Sequence, residues 1–311
     1  MKIKSIKPID YIGDVYNLRI KSDSGLNHNY IADGLNVSNC HKAKAKSIQT
    51  IMDKCWHCDY RFGLSGTIPK RGTVNRLTLM SAMGPLVTQV KAKLLQDEGH
   101  IANCKVMQFN MDYATDEQKE SFAFLAKNPA GRRELFSLEK NFINNNEKRL
   151  DFVTKVINKS QKNSLVLFHK IDYGEALYRK LRNITNKKVY YVDGTIKSDL
   201  REEFKARMEN NDDVIIVASY GTFSTGISIK NIHNIFFTES FKSEVIIRQS
   251  IGRGLRKHHS KEIVKIYDFI DDFRYTDEDT NWLNYMYKHG VERRKIYKEE
   301  QFKFEVQSVK F

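Results

Sequence analysis

The 311-residue chain carries 52 Lys and Arg against 38 Asp and Glu, a formal net charge of +14, and 41% of its residues are apolar. That size allows two ordinary cores and a small appendage, and the basic surplus favours a polyanionic partner such as nucleic acid over an acidic small molecule, unless it is only a solvated lysine-rich surface. The apolar runs are strand-sized, short of the roughly 20 residues a membrane span needs. The start, Met1-Lys-Ile-Lys-Ser-Ile-Lys, has charge without an apolar stretch behind it, so with four Cys the expected home is a reducing cytoplasm and no membrane is expected as a partner.

Residues 1–39 differ in texture from the rest. Val15-Tyr-Asn-Leu-Arg-Ile20 alternates like a strand, Ser22-Asp-Ser-Gly25 is a turn, and Tyr30-Ile-Ala-Asp-Gly34 gives a second short strand. Leu35-Asn-Val-Ser-Asn-Cys40 then runs into Lys- and Ala-rich helical sequence from His41, which sets an expected boundary near Asn39. The Asn39 amide can close a five-membered ring on its own backbone carbonyl and so cleave the Asn39–Cys40 bond. The Cys40 thiolate can take over an acyl group. Val15-Tyr-Asn-Leu together with His28 to Cys40 resembles the two C-terminal motifs of inteins, in which His28 matches the histidine that assists these proton transfers, an unperturbed imidazole titrating near about pH 6.5. Ser38 and Asn17 depart from the commonest residues at their positions. The resemblance implies a C-terminal split-intein fragment whose N-terminal piece, with its own nucleophile, comes from a partner polypeptide.

Downstream the pattern alternates helix and strand, as in an open parallel sheet. Ser47 to Lys54 is a predicted helix, Tyr60 to Leu64 a strand closed by Ser65-Gly-Thr67, residues 84–100 a helix ending at Gly99, and Lys105 to Asn110 a strand. Cys55 and Cys58 form a lone C-x-x-C without a second pair, which reads as packing rather than zinc. Residues 111–135 are polar and irregular, and 136–160 are a predicted long amphipathic helix. Strands follow at 164–168, 188–192, 213–218, 232–237 and 262–269, with helices at 173–182, 200–209 and 243–255.

Ligands of open α/β sheets bind outside the carboxyl ends of the strands, so the loops there are the place to look for chemistry. Gln249-Ser-Ile-Gly-Arg-Gly-Leu-Arg256 puts two guanidiniums three residues apart, on one face of the predicted helix, suited to the oxygens of a transferring phosphoryl group. No G-x-x-x-x-G-K-[ST] loop occurs in the chain.

From Cys40 onward, over about 270 residues, the order of motifs resembles superfamily 2 helicases, and most of all the phage UvsW-type helicases that remodel branched DNA. Cys40-His41 looks like the end of a D-E-C-H box, Ser65 to Thr67 like the coupling motif, Ser219 to Ser228 like the fifth motif and Gln249 to Arg256 like the sixth. The resemblance implies ATP hydrolysis with His41, Gln249, Arg253 and Arg256 in the machinery and with Gly226, Ser228, Arg253 and Arg256 at the ATP. Ser65, Thr67, Thr195 and Thr225 would couple nucleotide state to DNA. Mg2+ would be held by an acidic pair on the N-terminal helicase half, which carries the N-terminal intein fragment and is the expected protein partner.

The expected fold is therefore α/β. A small all-β intein fragment (1–39) precedes a partial first RecA-like domain (40–110) and a linker (111–135). A complete second RecA-like domain with a C-terminal helical extension (136–311) follows, and both domains are parallel sheets with flanking helices. A non-catalytic nucleic-acid-binding module with an inactive intein remnant is the alternative.

Overall fold

A computed structural model describes residues 20–22, 25–27, 29–32, 35–39, 46–54, 61–64, 67–69, 71–225, 229–240 and 243–311. The chain divides into two compact units, residues 1–89 and 90–311.

In the first unit β1 (Ile20–Ser22) and β2 (Gly25–Asn27) form an antiparallel pair. β3 (Asn29–Ala32) pairs antiparallel with β4 (Leu35–Asn39), and β4 pairs in parallel with β5 (Arg61–Leu64), Asn39 opposite Leu64. This three-stranded sheet runs across the boundary expected at Asn39, because the backbone groups of β5 find their partners on β4. Of the strand expected over Val15 to Ile20, residues 15–19 lie outside the described residues, as do Cys55 and Cys58. α1 (Lys46–Lys54) packs on α2 (Val74–Met83) through Met52, Leu79, Ala82 and Met83. Thr73 caps α2, its hydroxyl accepting from the Arg76 N–H at 3.3 Å.

The second unit is built on a seven-stranded, wholly parallel sheet in the order β14-β6-β11-β10-β7-β9-β8. Along the chain come α3 (Ala92–Asp97), β6 (Asn103–Asp112), α4 (Asp116–Lys127), α5 (Pro129–Asn144), α6 (Glu147–Lys159), β7 (Ser164–Phe168) and α7 (Ile171–Ile184). They are followed by β8 (Lys188–Val192), α8 (Ser198–Asn210), β9 (Val214–Ser219), α9 (Tyr220–Thr225), β10 (Asn234–Phe237), α10 (Glu244–Gly254) and β11 (Ile263–Asp271). A two-stranded pair, β12 (Tyr275–Thr276) with β13 (Asn281–Trp282), leads to α11 (Tyr285–Glu299) and the edge strand β14 (Lys303–Lys310). Successive residues of each strand feed opposite faces: Leu165, Leu167, Ile235 and Phe237 join one core, Val166, Phe168 and Phe236 the other.

Four expectations are corrected here. The strand expected at 105–110 in the first domain is β6 of the second unit's sheet, between β11 and β14, so the division falls near residue 89 instead of 110. Residues 111–135 are no linker: Thr115 opens α4 with a capping box whose partner is Gln118, and Asn128 followed by Pro129 opens α5. The helix expected over 136–160 is broken at Asn145 and Asn146, where the Asn146 side chain accepts from the Arg149 N–H at 2.9 Å and starts α6 anew. The helix expected over 84–100 shrinks to α3, ended by Gly99 at a φ of +71°. The C-terminal extension is helical in α11, as expected, and also adds β14 to the sheet.

Candidate functional site

α10 carries the arginine motif. Ser243 caps its start, and Ile247, Ser250, Ile251 and Gly254 are its buried residues. A Cβ at Gly254 would lie 2.5 Å from Ile235 Cδ1, so a larger residue there would have to move the end of the Ile235 side chain. Gln249 and Arg253 are half-buried, and the Arg253 guanidinium lies 5.2 Å from the centre of the Phe223 ring on α9, a cation–π contact that holds it against the neighbouring motif. Arg248 bonds Glu244 at 3.1 Å, Glu299 at the end of α11 at 2.5 Å, and Glu300 just beyond it.

Arg256 is exposed and, against expectation, lies beyond the helix, so it shares no helical face with Arg253. At the end of the helix the Leu255 carbonyl is taken by the Ala102 N–H at 2.8 Å and the Gly254 carbonyl by the Lys261 ammonium at 2.7 Å, donors that satisfy carbonyls left open where the ladder stops.

α9 follows β9 directly. The Ser219 hydroxyl accepts from the Thr222 N–H at 3.3 Å and meets the Thr222 hydroxyl at 2.9 Å, which starts the short helix that ends at Thr225. Gly226 and Ser228 lie outside the described residues. Thr195 is exposed in the turn after β8, its N–H and hydroxyl both donating to Asp193 at 2.9 and 2.6 Å. Burial works against the Asp193 charge, but these bonds and one from the Ile196 N–H outweigh it and hold the carboxyl below its ordinary pKa. Thr67 is buried in the first unit. Ser65, His28, Cys40 and His41 lie outside the described residues, and Asn39 is described only as the last residue of β4.

Two buried ion pairs brace this end of the sheet, and neither was visible in the sequence. Arg149 on α6 bonds Asp271 at 2.5 Å, Tyr173 at 2.5 Å and the Thr238 carbonyl at 2.7 Å, just before α10; Tyr113 donates to the same Asp271 at 2.8 Å. Arg293 on α11 bonds Asp268 at 2.7 Å, which also accepts from Tyr297 and Gln108, each at 2.8 Å. Glu239 accepts from the backbone N–H groups of His169 and of Lys170, the latter at 3.0 Å, tying the ends of β7 and β10. The one available signal was three aspartates, Asp268, Asp271 and Asp272, in and just after the largely apolar run from Ile266 to Ile270. Their partners come from helices far off in sequence.

Residues 148–258 match the helicase conserved C-terminal domain family. The ATP-dependent DNA helicase uvsW of Enterobacteria phage T4 is 33% identical over 279 residues, which are 87% of this chain and 53% of the relative. The crystal structure of T4 UvsW is similar with a TM-score of 0.54 and 30% identity, covering 89% of this chain and 53% of that one. An ATP-dependent Type ISP restriction-modification enzyme, LlaBIII, bound to DNA, has a TM-score of 0.56 at 14% identity over 88% of this chain and 21% of its own, a likeness of fold alone. The chain spans about half the length of the UvsW relative it matches. The parallel seven-stranded sheet with its flanking helices is the RecA-like fold of a helicase C-terminal domain.

Proposed function

We propose, from a chain whose residues 148–258 match the helicase C-terminal domain family, that it is the C-terminal half of a UvsW-type, ATP-dependent DNA helicase delivered as a trans-splicing precursor. The observation that carries the helicase reading is the 279-residue similarity to the phage T4 enzyme, which takes in the arginine-bearing α10 in a chain without a phosphate-binding loop. An exposed guanidinium at Arg256 and a half-buried one at Arg253, held over Phe223, suit the spread negative charge of a phosphoryl group in transfer. Among the described residues no group of three His, Cys, Asp or Glu side chains is arranged to hold a metal. Magnesium, which neutralises charge on the phosphates when bound, would be held by the acidic pair expected on the N-terminal half. DNA, branched in the relatives resembled, is the substrate this reading assigns, and the net charge of +14 suits its phosphates.

The splicing half of the proposal rests on His28, Asn39 and Cys40, which supply a proton carrier, a self-cleaving amide and an acyl-accepting thiol in the order the chemistry needs. Mixed with its N-terminal partner, the chain releases residues 1–39 and joins Cys40 to the partner. Asn39→Ala blocks that release, read by mass spectrometry. Ligation switches on DNA-stimulated ATP turnover. Arg256→Ala then lowers turnover by roughly a hundredfold or more, about 3 kcal/mol of transition-state stabilisation, with an unchanged thermal melt as the control. Full turnover by an unligated Asn39→Ala, Cys40→Ala mixture would overturn the need for splicing, and full turnover by Arg256→Ala would overturn the assigned arginine.

A further inference from the structure

Lys261 is a cation placed where cations seldom sit: it is 5% exposed, in the short turn between α10 and β11. Its Nζ donates to the carbonyl of Gly254 at 2.7 Å and to that of Lys230 at 2.5 Å. Gly254 is the last residue of the helix bearing Gln249 and Arg253. Lys230 belongs to the segment between α9 and β10 that follows Gly226 and Ser228. A single ammonium thus joins the end of the sixth motif to the exit of the fifth. The same two segments are gripped from other sides. Glu209 on α8 accepts from the N–H groups of Lys230 at 2.5 Å and Asn231 at 3.2 Å, and Ala102 donates to the Leu255 carbonyl at 2.8 Å.

Carbonyls at a helix end need donors, and a buried charged donor is among the strongest available. Desolvation lowers the Lys261 pKa to about 8; Glu209 opposes that shift and the neighbouring Arg256 charge adds to it. The interaction with Arg256 places the two cations within each other's field. Removing the ammonium would both free the last turn of α10 and change the potential that orients the exposed arginine.

We propose that Lys261 is a positioning residue: it bolts the C-terminal end of α10 to the Lys230 segment so that Arg253 and Arg256 keep a fixed reach. The bolt itself stands on the geometry, whereas its effect on catalysis rests on the ATP-hydrolysing reading above. Two measurements separate them. In the full chain, Lys261→Met, of similar length without charge or donor, is compared by amide hydrogen exchange with Lys257→Met at the exposed neighbour. Exchange in residues 251–256 and in 229–233 should speed up together, by about tenfold, with β7 and β9 unchanged. An unchanged pattern, a change in one segment only or a uniform rise across the sheet would overturn the bolt.

In the ligated protein, Lys261→Met should lower kcat for DNA-stimulated ATP turnover by about tenfold while KM for ATP stays within about twofold. Lys261→Arg, which keeps a buried charge and donors, should recover part of the loss, and Lys257→Met should behave as the parent. Unchanged kcat with Lys261→Met would overturn the positioning role. A parent protein without turnover would sink the helicase reading instead, and hydrogen exchange would then decide the bolt alone.

Discussion

In residues 90–311, β7 buries all five of its residues and β10 all four, with helices over both faces of the sheet. In residues 1–89 the apolar side chains buried among the described residues are Met52 and Ala82, while α2 turns Val74 and Leu77 to solvent at 78% and 66% exposure. Both regions contain helices and at least one parallel strand pair, and the described side chains differ in how far they are covered. A parallel strand is stable when both faces are buried, and the second unit supplies both layers from its own sequence. The second unit should therefore carry most of the chain's stability.

The sharpest way to break this contrast is at Arg149, which is wholly buried and bonded to Asp271. Arg149→Met strands the Asp271 charge in the core and should cost the second unit roughly 3–5 kcal/mol, read by urea unfolding. A loss below about 1 kcal/mol would mean that the unit's stability is not concentrated in this core.

A smaller, pH-dependent effect comes from Glu139 on α5, whose carboxylate accepts from the Tyr285 and Met286 N–H groups at 3.0 and 3.2 Å, at the start of α11. Burial raises its pKa from 4.5 to about 7, against the pull of those hydrogen bonds. The folded state therefore binds a proton between these values more readily than the unfolded chain does. The stabilising contribution of Glu139 is full below about pH 4.5 and is lost as pH rises towards 7, on the order of 3 kcal/mol in all. Glu139→Gln should flatten this slope in unfolding experiments run from pH 5 to 8. An identical slope in parent and variant would remove Glu139 as its source.

The smallest effect is expected in the first unit. Leu77→Ser on the exposed face of α2 should change unfolding of the free chain by no more than about 0.5 kcal/mol. A larger loss would show that this face is already covered in solution and that the two regions are more alike than their burial suggests.

Most second-unit strands were legible because their apolar runs are short and bounded by turn residues: Ser164 to Phe168 and Lys188 to Val192 match β7 and β8 residue for residue. β6 was also found as a strand and assigned to the wrong domain, since periodicity marks a strand without naming its neighbour. Gln249 and Arg253 were placed on their helix correctly. Arg256 was not: α10 ends at Gly254, and the donors that take the carbonyls at its end, from Ala102 and Lys261, have no local signature.

What the sequence determined by itself about this protein is the set of local choices: where strands and helices form, which caps open them, and which residues could carry phosphoryl-transfer and splicing chemistry. Hydrophobic period, turn residues and motif order are all short-range information. Only the tertiary structure decided that β6 and β14 join one sheet with β7, that Arg149 and Arg293 find Asp271 and Asp268, and that the Lys261 ammonium reaches the carbonyls of both Gly254 and Lys230. The strand pairing and the two ion pairs join residues far apart in the sequence, and the low dielectric that makes the charged pairings matter exists only once the core has closed.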